Sequence, residues 1–126
     1  MSLFRVNVIA ANIADQQRVT PPIQSLVDSG SELSWLPADV LQTIGVSAVR
    51  SRTFRTATGQ TVQRPIGYAI LRAEGFETID EVVFAEPGDA TLLGVRTLEG
   101  FGVTVDYMAH RFVATTTIVA FSKPTS

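Results

Sequence analysis

Asp28 is the carboxylate whose setting best suits it for chemistry. It follows the apolar run Ile23 to Val27 and precedes Ser29-Gly30, so a short strand delivers an acidic turn. A carboxylate held on such a turn can take or give a proton, which is the work of general acid and base catalysis. Asp-Ser-Gly alone is a weak signal, because its members are among the commonest turn formers. Its frame adds weight: Leu26-Val27 comes before it, Ser31 after it, and then an apolar run reaches Leu36-Pro37 and a short helix. Further along, Leu92-Leu93-Gly94 is again an apolar pair followed by glycine and a short helix, and a hairpin with Gly59 at its tip lies between the two motifs.

Other chemistries find little support. The chain has no cysteine, which excludes thiol nucleophiles, disulfides and zinc-cysteine sites. Its one histidine, His110, lies in a polar turn beside Arg111 and reads as solvated, with no second histidine to share a metal. No serine or threonine has a plausible histidine partner for a nucleophilic triad. Asp80-Glu81 and Glu86 to Asp89 read as exposed strand ends and loop, and their spacing fits no known calcium loop. Neither a metal nor a cofactor is therefore expected. Trp35 and Phe101 sit in apolar runs and read as core. A formal net charge of -2 leaves no basic field for phosphates, so nucleic acid is not an expected partner.

The elements that must position Asp28 are mostly short strands. At 126 residues, 45% hydrophobic and 17% charged, the chain suits one packed domain over 1–126, with a polar flexible tail from Ser122 to Ser126. Leu3 to Ile13 alternates as a half-buried strand, and Pro21-Pro22 bars a helix before the Ile23 to Val27 strand. Pro37 to Ile44 reads as a short helix, with Pro37 in a first helical position and Gly45 as its stop. Strands follow at Thr53 to Ala57, Thr61 to Arg72 and Phe76 to Phe84, with turns at Thr58-Gly59-Gln60 and near Glu74-Gly75. Thr91 to Leu93 reads as a short buried strand and Val95 to Gly100 as a small helix closed by Gly100 or Gly102. Val103 to Asp106 and Arg111 to Val119 read as a last hairpin around Tyr107 to His110. Such short strands with frequent turns predict an all-β fold, a small closed barrel with one or two short helices. The apolar N-terminal stretch is broken by Arg5, Asn7 and Asn12, too soon for a membrane span or a signal peptide, which makes a cytoplasmic location the default.

In this order the motifs resemble the retropepsin-like (retroviral-type) aspartic proteases, in particular their small bacterial and archaeal branch. The resemblance runs from about Val6 to Val113. Leu26-Val27-Asp28-Ser29-Gly30-Ser31 matches the family's catalytic turn, Phe54 to Pro65 its flap hairpin, and Leu92-Leu93-Gly94 the turn that supports the site. Thr97-Leu98-Glu99-Gly100-Phe101-Gly102-Val103 is similar to the relatives' short helix and its exit. Two departures stand out. Ser29 replaces the commoner threonine, and Val95 precedes Arg96 where many viral members place an arginine directly after the glycine to pair with an acidic residue beyond the catalytic turn, here Glu32.

The resemblance implies peptide hydrolysis by water activated between two carboxylates. One carboxylate cannot act as acid and base at once, whereas two about 3 Å apart share one proton and present both functions. With one such motif per chain, the second Asp28 must come from another copy, and a two-fold axis in a homodimer supplies it. Ser29 and Gly30 would support the turn, the Ser29 hydroxyl bonding to partner backbone. Polypeptide substrate would lie extended under the flap, in contact with Ser31, Ala57, Thr58, Gly59, Gln60, Ala90 and Leu92, with apolar side chains preferred near the cut. A catalytically silent dimeric module that binds peptides or mediates assembly is the alternative on the same fold. A monomeric barrel is the third reading, and it requires the terminal strands to pair within one chain.

Overall fold

The computed structural model describes residues 3–116. The chain is mostly β, with 49% of it in strands and 11% in helix. Strand β1 (Arg5–Ala11) turns Val6, Val8 and Ala10 inward and Arg5 and Asn7 outward, the period-two pattern of a strand with one wet face. It is followed by β2 (Ile23–Val27), β3 (Ser34–Pro37), helix α1 (Ala38–Thr43), β4 (Arg50–Arg55), β5 (Thr61–Ala73), β6 (Phe76–Ala85), β7 (Leu92–Leu93), helix α2 (Val95–Phe101), β8 (Val103–Asp106) and β9 (Arg111–Ala114).

Six strands close into a ring in the order β1-β2-β7-β3-β6-β5, with β5 pairing back onto β1. β4 flanks β5 outside the ring, and β8 and β9 form a separate two-stranded sheet. The two-residue strand β7 is inserted between β2 and β3, parallel to β2 and antiparallel to β3. Consecutive strands are thereby held apart by a segment from much later in the chain. Val8, Val27, Leu36, Leu71, Val82 and Leu93 are fully buried inside, and burying each such side chain is worth about 1.5–3 kcal/mol. The rings of Phe76, Phe101 and Phe112 meet at centroid distances of 6.1–6.3 Å and dock the β8–β9 sheet on this core.

Strand β5 does two jobs along its length. From Ile66 onward it is almost continuously buried between β6, β1 and the core, whereas Thr61 to Pro65 alternate between exposed and half-buried. Among the described residues that outer half pairs with β4 alone, so β4 and the start of β5 form a two-stranded arm.

Several expectations shift in detail. Ser34 to Pro37 is a strand, because it pairs in parallel with Val82 to Ala85 of β6. Pro37 is its last residue and caps α1 rather than opening the helix. Asp80 and Glu81 are not exposed strand ends; they lie inside β6 at 9% and 8% exposure, each paired with polar partners. Trp35 is half-buried rather than core, tilted against Phe54 of the arm at 4.9 Å, while Phe101 is core as read. Among the described residues, β1 pairs with β2 and β5, and β9 pairs with β8. The predicted final strand is seen over Arg111–Ala114, and its end, from residue 117, lies outside the described residues together with the Ser122 to Ser126 tail.

Candidate active site

Asp28 sits where β2 ends, half-buried, followed by the exposed Ser29 and Gly30. Its backbone continues the β2–β7 ladder by one step, the Asp28 N–H donating to the Leu93 carbonyl at 3.0 Å. The chain then turns back: the Ser31 N–H donates to the Asp28 carbonyl at 3.1 Å, and the Gly30 N–H donates to Asp28 Oδ1 at 2.9 Å. One carboxylate oxygen is thus fixed by the turn that presents it, as an Asx turn does.

The turn is clamped from below by the second motif. The Val95 N–H donates to the Ser31 carbonyl at 2.7 Å, and the Arg96 N–H to the Glu32 carbonyl at 3.1 Å. Gly94 lies at the crossing, where a β-carbon would come within 2.5 Å of the Leu33 backbone and 2.9 Å of the Ser31 carbonyl oxygen. Only glycine lets the two segments approach so closely. The Gly94 N–H donates to Ser34 Oγ at 2.9 Å, Ser34 and Thr97 share a 2.6 Å hydroxyl bond, and Thr97 donates to Asp80 Oδ2 at 2.9 Å. This buried relay ends on a carboxylate whose other oxygen accepts the Glu81 N–H at 2.7 Å. Every member is satisfied, so the relay rigidifies the support rather than weakening the interior.

The arm is tied by Arg52 to the loop after the turn and by Arg64 to the loop at 86–89, and the two arginines face each other across β4 and β5. Arg52 Nη2 meets Glu32 Oε1 at 2.8 Å, so the arginine partner of Glu32 comes from β4, while Arg96 lies 3.9 Å from Glu81. Arg64 grips Asp89 with two bonds, at 2.7 and 3.0 Å, and reaches Glu86 at 2.9 Å. The Arg64 bond holds the Asp89 carboxyl below its ordinary value, with burial opposing. For Glu81, burial pushes its acidity down, but the hydrogen bond and charge of Arg50, with Arg96 and Tyr68, outweigh burial and leave its pKa lowered.

Of the residues singled out in the sequence, Asp28, Ser29, Gly30 and Ser31 share the turn, and Leu92 lies beside it, in register with Leu26 and paired with Trp35. Ser31 Oγ donates to the Leu33 carbonyl at 2.9 Å and so braces its own loop. Ala90 is exposed, next to Thr91, whose carbonyl accepts the Leu26 N–H at 3.0 Å. Ala57, Thr58, Gly59 and Gln60 form the exposed tip of the arm. The tip is shaped by its own bonds, Thr56 N–H to the Gln60 carbonyl at 2.7 Å and Gly59 N–H to the Thr56 carbonyl at 2.9 Å, with Gly59 at a φ of 87° that favours glycine. Its link to Asp28 runs through Arg52 and Glu32.

The structure groups Leu26 and Leu92 with Trp35, which the sequence read as core, and adds Tyr107, which the sequence did not single out. Leu26, Leu92 and Trp35 are laterally adjacent, half-buried, and continue to Phe54 of the arm. Asp28 lies two residues beyond Leu26, on the same face. The residue alternation of β4 and β5 put Arg52, Phe54, Val62 and Arg64 on one face and could have flagged them, although their carboxylate partners could not be read that way. Tyr107 also reaches the turn: its hydroxyl donates to Ser29 Oγ at 2.7 Å. His110 is exposed and stacks on Phe4 at 5.0 Å with the rings 5° from parallel.

Among the described residues, no group of three or more His, Cys, Asp or Glu is arranged to hold a metal, and no helix is long and apolar enough to cross a membrane. Neither a family model nor a curated protein sequence matches the chain.

Proposed function

We propose that the chain is an aspartic endopeptidase of the retropepsin-like kind, acting as a homodimer in which the two Asp28 carboxylates share one proton and activate water. On this reading the ring of six strands is the small closed barrel of that family, the β4–β5 arm is its flap, and Gly94 is its supporting glycine. The observation that carries the reading is the placement of Asp28. Its carboxylate is half-exposed on a turn fixed by the Gly30 N–H, and that turn is bonded to Leu93 and Val95 of the second motif. A base that must meet its twin at about 3 Å gains from such rigidity, because small misplacements cost orders of magnitude in rate.

The half-buried row Leu26, Leu92, Trp35 and Phe54 beside Asp28 supports an extended polypeptide substrate with apolar side chains near the cut. Closure of the arm over the substrate would exclude water.

Incubating the purified chain with a mixed peptide library from acidic to neutral pH tests the proposal, together with sedimentation at several concentrations. Cleavage lost in Asp28→Asn, by a chain that dimerises, is the expected result. Cleavage that survives this substitution removes Asp28 from the mechanism. A chain that stays monomeric at every concentration removes the shared proton. Peptide held without turnover by both wild type and variant would instead identify the catalytically silent module.

A further inference from the structure

We propose that Tyr107 is a positioning residue for the Asp28 turn, fixing Ser29 and through it the peptide plane that orients the carboxylate. For its kinetic readout the proposal rests on the aspartic protease reading above; for its structural readout it rests on geometry alone.

Tyr107 opens the turn between β8 and β9, in the sheet separate from the ring that carries Asp28. Its hydroxyl makes two contacts with one residue: it donates to Ser29 Oγ at 2.7 Å and accepts the Ser29 N–H at 3.3 Å. A phenol has one proton and spare lone pairs, so a single oxygen can hold the side chain and the backbone of Ser29 together. The proton of the Ser29 hydroxyl stays available for an acceptor on a second copy, so the contact is compatible with a dimer.

Tyr107 is itself held. Asp106 Oδ1 accepts the N–H groups of Met108 and Ala109, each at 3.0 Å, which sets the shape of the turn. The Tyr107 ring meets Phe4 edge-on at 6.0 Å, and the Phe4 carbonyl accepts the Val27 N–H at 2.9 Å, one residue before Asp28. Leu93 and Val95 hold the turn at Asp28 and Ser31, its two ends, and Tyr107 holds the exposed residue between them. This matters because Asp28 Oδ1 takes its bond from the Gly30 N–H, and that amide belongs to the peptide plane between Ser29 and Gly30. With Ser29 untethered this plane can tilt, and the carboxylate tilts with it.

The test is Tyr107→Phe in the full chain, which keeps the ring and removes the hydroxyl. On a peptide that the wild type cleaves in an Asp28-dependent way, kcat should fall by about ten- to a hundredfold with KM within about twofold. The Ser29 amide should exchange faster with solvent, and Tm should stay close to wild type. Ser29→Ala removes the 2.7 Å bond but keeps the backbone contact, so the double variant should lose clearly less than the product of the two single losses, as expected of groups that share one of their bonds. Wild-type kcat in Tyr107→Phe overturns the proposal, as do losses that add in the double variant, or a kcat loss that comes with a matching fall in Tm. If the wild type shows no Asp28-dependent cleavage, the protease reading fails and amide exchange alone decides. Faster exchange at Ser29 and Gly30 in Tyr107→Phe then upholds the positioning role, and unchanged exchange ends it.

Discussion

Arg52 of the arm and Glu32 of the loop after Asp28 form a 2.8 Å ion pair, joining the hairpin to the segment that carries the candidate catalytic turn. Both side chains are well exposed, so the pair adds about 0–1 kcal/mol to stability at most. Its consequence lies in where it holds the arm. Arg52→Ala should leave the denaturant midpoint nearly unchanged and raise KM for peptide several-fold, an effect that added salt should reproduce in the wild type. Unaltered KM at low salt would show that the pair does not set the position of the arm.

Gly94 offers a sharper stability test. A methyl group there would lie 2.5 Å from the Leu33 carbonyl carbon and oxygen, backbone atoms that cannot rotate away. Gly94→Ala should cost about 1–3 kcal/mol, the usual range for overpacking, and should abolish Asp28-dependent cleavage by displacing the turn. Chemical denaturation of the variant checks the first part. A variant as stable as the wild type would mean that the two segments do not cross so closely.

The buried relay makes a third prediction. Thr97→Val keeps shape but removes the hydroxyl, leaving buried Asp80 Oδ2 without its donor and the Ser34 hydroxyl proton without its acceptor. The expected loss is about 1–3 kcal/mol, with Thr97→Ser much closer to wild type. Equal stability of the valine and serine variants would show that the hydroxyl contributes nothing.

Acid should weaken the fold through Glu81 and Asp89. Both carboxyls are held below their ordinary values of 4.5 and 3.8 in the folded chain, Glu81 by Arg50, Arg96 and Tyr68 against burial, Asp89 chiefly by Arg64. The unfolded chain therefore binds protons first on acidification. The stability that these groups contribute is fully present above the ordinary values and is lost as pH falls through the lower, folded ones. Tm should decline below about pH 4.5, and Glu81→Gln or Asp89→Asn should each flatten that decline while lowering Tm at neutral pH. A wild-type Tm that is constant across this range would contradict the assignment. Cleavage assays at low pH need a parallel Tm measurement, since lost activity there can reflect unfolding.

By itself, the sequence determined what is local. Alternation in Leu3 to Ile13, the proline pair before Ile23, and turn residues at Thr58-Gly59-Gln60 and Glu74-Gly75 located most strands within a few residues, because side-chain period and backbone permissiveness act over short distances. The acidic turn at Asp28 and the glycine at position 94 were legible for the same reason. Ser34 to Pro37 was not, since its strand character comes from Val82 to Ala85, a partner far along the chain. Asp80 and Glu81 read as exposed because charge predicts solvent unless partners are known, and Thr97, Arg50 and Arg96 approach them only in the folded chain. Tertiary structure alone decided that β7 enters between β2 and β3, that Arg52 answers Glu32, and that Tyr107 reaches Ser29. Each is a meeting of residues distant in sequence, fixed by ring closure and sheet packing rather than by any local preference.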